Sequence, residues 1–448
     1  MNYLELLHRG EYDRLVREAL PLVETDRLAE LAFLRLCQGR YNFFLLEPAT
    51  VEMLQEQAKA GNRYAQYAFA RYHLFVRNTE ESVMLSYENM LAAAHQNLPD
   101  AVAGLASCAE YGDIGVVDRE NAAAMMDDAF NAGSELAAIY RLKEYCFGRH
   151  FQPAQPDKAV ELAEQLIARD EAAGIEPNGF WFYYRASACE DHLGRTAITI
   201  SNDYQKALSL GILDAYSDLI LAAGYGDESR VLTLTKEYER LINEGMERLY
   251  AGAFYFDAVA ALHEYEVLQD PDNDLGHEQE NRLPQLLQDC HDRIFLRFTQ
   301  AGELGDNSAY ELLGDFYYEG SYGFEQNYQL AYAAYARGIV RDHVGCVEKA
   351  WKMMRNHYID RPLEEMDELA LLGARCDSKR LLAETVIAYQ EGRLADFSDE
   401  ITKYYEPIFD APEFTLDSDE DWMQVIDEQL GDEDDDFEED DGRYDAWA

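Results

Sequence analysis

Residues 301–338 read AGELGDNSAYELLGDFYYEGSYGFEQNYQLAYAAYARG. Gly305 opens a sixteen-residue block, Ala309 stands at +4 and Gly320 closes it at +15. Gly, Asn or Asp at an opening position tolerates positive φ or caps a helix, as a tight turn between helices requires. A small residue at +4 lets two helices approach closely. Gly at +15 falls where a left-handed residue ends the first helix. A polar loop follows, then Asn327, a natural N-cap, with Ala331 four residues on. The stretch therefore predicts two helices and a short loop, with no strand.

The same frame recurs outward from this unit. It is present at 97–112 (NLPDAVAGLASCAEYG), 133–148 (GSELAAIYRLKEYCFG) and 211–226 (GILDAYSDLILAAGYG), and more loosely at 179–194 and 377–392. Degenerate copies start at Gly61, Gly245 and Asp342. The small residue at +4 is Ala65, Ala101, Ala137, Ala215 and Ala309, with Cys346 in the same place, and the closing glycines are Gly112, Gly148, Gly194, Gly226, Gly320 and Gly392. Second helices are expected to open at Asp118, Gln155, Asp203 and Asn327, each with Ala four residues later. The one β-leaning run, Thr196–Ile200, is expected in an inter-helix loop. A recurring period near 36 residues is the sign of a helical solenoid.

The unit at 301–338 resembles a Sel-one-like repeat, a short α/α relative of the tetratricopeptide repeat. The matching residues are Ala301, Gly305, Ala309, Leu313, Gly314, Tyr317, Tyr318, Gly320, Gly323, Asn327, Ala331, Tyr335 and Ala336, with one extra residue between Gly320 and Gly323. In degenerate form the resemblance runs over about 57–395. It implies an all-α, right-handed superhelical α/α solenoid of about nine two-helix repeats, whose usual work is to hold proteins together. The family has no common catalytic residues to carry over. Segment 1–56 reads as a helical N-terminal cap, 57–260 as a first run of repeats and 261–298 as an acidic insertion with a linking helix. A second run, 299–412, precedes an acidic tail, 413–448. End repeats need such a cap because one apolar face is otherwise left open.

Charge narrows the partners. The 448 residues carry 38 Lys and Arg against 87 Asp and Glu, a formal −49. Phosphate backbones and anionic lipid surfaces repel such a chain. A basic protein surface is the favoured partner, with no direct nucleic acid and no membrane. No stretch approaches the ~20 apolar residues of a membrane span, and no signal peptide is read at the N-terminus. Seven scattered cysteines without a CxxC pair suit a reducing cytoplasm. Residues 417–448 hold sixteen acids and Arg443, a net −15, which leaves −34 on the body. Like-charge runs stay extended, so 430–448 of this tail is expected to be disordered, while Asp421–Leu430 has the apolar spacing of a short helix. An acidic body argues against the tail's folding back. Its aromatic residues Phe437, Tyr444 and Trp447 make it a candidate interaction peptide.

No catalytic constellation emerges. Asp270, Asp272 and Asp274 imitate half a calcium loop, but Leu275 and Asn281 stand where Gly and a bidentate Glu are needed. Cys189 and His192 lack a second ligand pair for zinc. Asp289, Cys290 and His291 are consecutive, so on a helix they point about 100° apart and do not converge. No cofactor or metal is expected. The candidate partner contacts are Tyr183, Tyr184, Tyr317, Tyr318 and Tyr335, since tyrosine supplies area and a hydrogen bond at low entropic cost. The leading reading is a non-enzymatic binding scaffold that uses a concave groove. Its alternatives are an immunity or antitoxin protein against a basic toxin, a nucleic-acid mimic, and an enzyme subunit with a site in 245–305.

Overall fold

The computed structural model describes residues 2–77, 80–111, 119–148, 153–190, 197–224, 236–270, 277–340, 343–375, 378–390 and 392–394. The closing glycines Gly112, Gly194 and Gly226 and the tail residues Phe437, Tyr444 and Trp447 lie outside them. Among the described residues every regular element is helical and there is no strand. Four short helices come first: α1 (Tyr3–His8), α2 (Tyr12–Ala19), α3 (Arg27–Gln38) and α4 (Arg40–Phe44). The repeat helices follow as α5 (Pro48–Lys59), α6 (Arg63–Tyr72), α7 (Glu80–His95), α8 (Pro99–Tyr111), α9 (Arg119–Asn131), α10 (Glu135–Phe147), α11 (Pro156–Ala172), α12 (Gly179–Glu190) and α13 (Ala197–Ser209). They continue as α14 (Ala215–Gly224), α15 (Lys236–Glu247), α16 (Ala251–Gln269), α17 (His277–Glu303), α18 (Ser308–Glu319), α19 (Tyr328–Ile339), α20 (Val344–Arg355), α21 (Leu363–Arg375) and α22 (Lys379–Gln390).

The chain divides into two compact units. Unit 1 holds Met1–Ile114, Asp118–Ala309 and Tyr322–Phe324; unit 2 holds Gly115–Val117, Tyr310–Ser321 and Glu325–Ala448, so far as they are described. In unit 1 each helix from α5 to α17 packs on the next, and α8 on α10, α10 on α12 and α14 on α16. In unit 2, α19 through α22 pack in the same serial way. This is the α/α repeat organisation expected from the 36-residue period.

The turn into the first helix of a repeat has a uniform physical basis. Gly61, Asn97, Gly133, Gly211 and Gly305 all have positive φ, between 59° and 104°. The next polar residue then caps the helix: the Asn62 side chain accepts from the backbone of Tyr64 and Ala65, and the Ser134 side chain from that of Ala137. At +4, Ala65, Ala101, Ala137, Ala215, Ala309 and Cys346 are all fully buried. Gly148 and Gly320, both at φ +76°, end their helices as the frame requires. Gly314 marks a close approach between α18 and α19 of unit 2. A Cβ there would lie 2.2 Å from Cε1 of Tyr335.

Three expectations need correction. The turns into α12 and α16 are not at Gly179 and Gly245. They are at Gly174 (φ +67°) and Leu249 (φ +54°), and Gly245 lies inside α15. The β-branched run is not a loop, since Ala197–Ile200 begins α13. In consequence Asp203 is not an N-cap. It lies mid-helix and accepts from Nε and Nη2 of Arg185, at 2.8 and 2.7 Å. That ion pair ties α12 to α13, and packing between the two helices overrides the weak local β preference.

Candidate interaction surface

The side of unit 1 that the helix starts present is occupied by the chain itself. Arg35 on α3 reaches α10, exactly one hundred residues away in sequence, and forks onto Glu135. Its Nε donates to Oε2 at 3.0 Å and its Nη2 to Oε1 at 2.8 Å, while Nη1 donates to the Glu176 carbonyl at 2.8 Å. Gln38 and Asn178 donate amide hydrogens to the same carboxylate, at 3.3 and 2.9 Å, and Asn178 also donates to Gln38 at 2.7 Å. Burial alone would raise the Glu135 carboxyl; the Arg35 guanidinium and the two amides reverse that and hold it below its ordinary range. Beside it, Asp170 accepts from the indole of the fully buried Trp181 at 2.9 Å.

Two opening glycines complete this seal. A Cβ on Gly211 would lie 3.6 Å from the backbone of Leu7 and His8, and one on Gly305 would lie 2.9 Å from the ring of Phe44. The Arg248 guanidinium donates to the His8 carbonyl at 3.2 Å. Helices α1–α4 therefore touch the helix starts of four repeats, at 135, 178, 211 and 305. The cavity left beside Arg35, Asn178 and Gly211 is only about 20 Å³, room for a single water. Sequence reading placed the N-terminal segment as an end cap; its reach along unit 1 was not visible, because no local pattern marks Arg35 and Glu135 as partners.

The candidate tyrosines separate into different environments. Tyr184 is 8% and Tyr335 2% exposed, so neither offers a contacting surface. Tyr184 stacks on Phe180 at 6.1 Å and meets Tyr183 edge-on at 5.2 Å, and burial pushes both phenols well up. Tyr335 donates to Asp315 at 2.7 Å, and Lys349 bridges Asp315 and Glu311 at 2.6 and 2.7 Å. This set is fully paired packing inside unit 2. Tyr317 packs against the core of Ala331, Cys346 and Trp351.

Tyr318 alone of the five sits in a partly open cluster. Its ring centroid is 5.5 Å from that of Tyr328 and 5.5 Å from that of Tyr358, and Tyr328 and Tyr358 are 4.6 Å apart. Burial, the Tyr358 hydroxyl and Glu319 push the Tyr318 phenol up to about 12. Rings this close touch one another and leave no cage between them. Their outer edges form one aromatic surface. Tyr358 is 39% exposed, with Leu330 at 46% and Leu363 at 48% on the flanking segments. Beside Leu330, Tyr332 lies under the Arg361 guanidinium at 5.0 Å and donates to Glu365 at 3.0 Å. Sequence reading missed Tyr328 and Tyr358. Tyr328 directly follows the cap Asn327, a placement that was legible; Tyr358 follows His357, whose φ of +58° no residue pattern announces.

The remaining candidates do not assemble a reactive centre. Cys290 is buried and its thiol pushed up to about 11 by burial; Asp289 accepts from Gln285, and His291 packs on Phe324 and contacts the Tyr322 carbonyl at 3.2 Å. Their side chains diverge, as helical geometry requires. His192, Asp272 and Asp274 lie outside the described residues. Among the described residues no group of three or more His, Cys, Asp or Glu is placed to hold a metal ion, and no helix is long and apolar enough to cross a membrane.

No protein-family model matches the chain, and no curated protein does. Among solved structures, the chain is similar to a Sel1 repeat protein from Oxalobacter formigenes. The identity is 15%, over 77% of this chain and 92% of that one, with a TM-score of 0.35. It is similar also to a protective antigen of uropathogenic Escherichia coli strains that displays an SLR fold, at 15% identity over 80% of this chain and 78% of that one, with a TM-score of 0.32.

Proposed function

We propose that this chain is a non-enzymatic scaffold that holds a basic protein partner, and that unit 2 carries the contact. The observation behind this reading is the Tyr318–Tyr328–Tyr358 cluster. It is prepacked, so little side-chain entropy is lost on binding, and its edges combine apolar area with hydroxyls, the composition of interface hot spots. The formal charge of −49 favours a basic partner and speeds its encounter. Unit 1 contributes a body in which α1–α4 already cover the helix starts at 135, 178, 211 and 305. The six described cysteines are all buried and unbridged, which suits a reducing, cytoplasmic setting.

The test is an affinity capture from native lysate with the full chain and with Tyr328→Ala/Tyr358→Ala, washed at 0.1 and 0.5 M salt. The scaffold reading expects a basic partner that stays on the full chain at 0.5 M salt, since aromatic contacts are not screened. The double variant is expected to lose it at least tenfold. Capture that collapses with salt and is equal for both proteins points instead to a purely electrostatic mimic and contradicts the reading.

A further inference from the structure

The body charge of −34 is not spread evenly. The stretch 337–393, which holds most of the described residues of unit 2, has ten Lys and Arg and ten Asp and Glu, and so is formally neutral. All of the body's net negative charge lies elsewhere. Within this stretch the cations gather around the buried Trp351. The Arg355 guanidinium lies 4.9 Å from its ring and that of Arg380 lies 6.0 Å away. Lys352 sits one helical turn before Arg355 on α20, and both flank the negative end of that helix. Arg355 pairs with Glu384. Lys352 and Arg380 are exposed and make no ion pair with any described residue. Three residues beyond Arg355, the exposed Tyr358 begins the aromatic surface.

We infer that this cationic face of unit 2 is the docking site of the chain's own acidic tail, 417–448. Complementarity of charge selects the occupant. The tail carries −15, and 432–441, DEDDDFEEDD, has nine acids in ten residues. The body as a whole, at −34, repels it; this formally neutral face does not. Phe437, Tyr444 and Trp447 give it aromatic groups to lay against arginine planes. The reach suffices. From Leu394, the last described residue, to Asp432 is 38 residues, a root-mean-square span of ~35 Å for a flexible chain. The contact is ionic and exposed, so it is salt-sensitive and reversible. It reverses the expectation that an acidic body would exclude the tail, because the stretch that carries this face is formally neutral and presents Lys352 and Arg380, unpaired among the described residues.

The inference concerns this chain alone, so its outcome does not depend on whether a partner is found. It is tested by zero-length carbodiimide coupling of full-length protein at low concentration, with the intramolecular amides read by mass spectrometry. Amides between the Lys352 amine and carboxylates of 417–448 are expected in the monomer at several times the yield seen at Lys59 or Lys158 of unit 1. They are expected to fall at least threefold in 0.5 M salt, and at least threefold in Arg380→Glu, which leaves Lys352 itself intact. Equal yields at all exposed lysines, or a Lys352 yield unmoved by salt and by Arg380→Glu, would overturn the inference.

Discussion

Replacing Arg35 by alanine is expected to lower the stability of unit 1 by about 3–5 kcal/mol, the usual cost of stranding one partner of a buried ion pair. The side chains of Arg35 and Glu135 are 5% and 12% exposed, so solvent screens little of this. Without the guanidinium, Glu135 keeps only the Gln38 and Asn178 amides against its burial, and the Glu176 carbonyl loses its donor. The consequence is not local. In a simple solenoid each repeat answers only to its neighbours. Here α3 is tied to α10 and to the turn before α12, so loosening it releases contacts spread over more than a hundred residues. Denaturant unfolding of Arg35→Ala is expected to show a lower midpoint, and hydrogen exchange is expected to quicken in α10 and α12 as well as α3. An unchanged midpoint, or exchange confined to α3, would count against the tie. Arg35→Met/Glu135→Leu removes both charges and is expected to lose less than Arg35→Ala alone, the non-additivity of a coupled pair.

The second large effect has the opposite sign. Asp100 is 2% exposed at the start of α8, its Oδ1 accepts from the Ser134 hydroxyl at 2.5 Å, and its Oδ2 has no hydrogen-bond partner. Burial pushes its carboxyl up to about 6, against the lowering effect of that hydroxyl. A carboxyl whose folded value exceeds its unfolded one binds its proton more tightly in the native state. The stability that Asp100 contributes is therefore fully present below about pH 4 and is lost as pH rises to about 6. Asp100→Asn keeps the acceptor and removes the charge. It is expected to be more stable than wild type above pH 6, by up to about 3 kcal/mol for a two-unit shift, with the gap closing by pH 4. Paired thermal melts at pH 4 and pH 7.5 read this directly. A variant less stable than wild type at pH 7.5 would show that the Asp100 charge is compensated, with the fully buried Arg71 the nearest cationic source.

The residues of the repeat frame were legible because each has a local physical cause. Gly61, Gly133, Gly211 and Gly305 are needed for positive φ, and Asn62 and Ser134 for capping. The alanines at +4 are needed for close packing, and all are fully buried. Where the frame was misplaced, the cause was not written locally. Leu249 adopts positive φ without being Gly or Asn, so the turn into α16 carries no signature. The run at 197–200 is β-branched, yet it is helical because α13 is held against α12 by Arg185 and Asp203. The interaction surface was half legible. Abundant tyrosine was apparent, but burial divides Tyr335 and Tyr184 from Tyr318, and burial is a property of the folded unit. The occupation of the helix starts by α1–α4 was not legible at all, since it joins residues that no spacing rule relates.

The most direct test of the scaffold account is hydrogen exchange on the full chain, free and saturated with its captured partner. Protection is expected in the segments around Tyr318, Tyr328–Tyr332 and Tyr358–Leu363 of unit 2, with α3, α10 and α12 unchanged. Protection concentrated on α1–α4 and the helix starts they cover, with none around Tyr358, would contradict it.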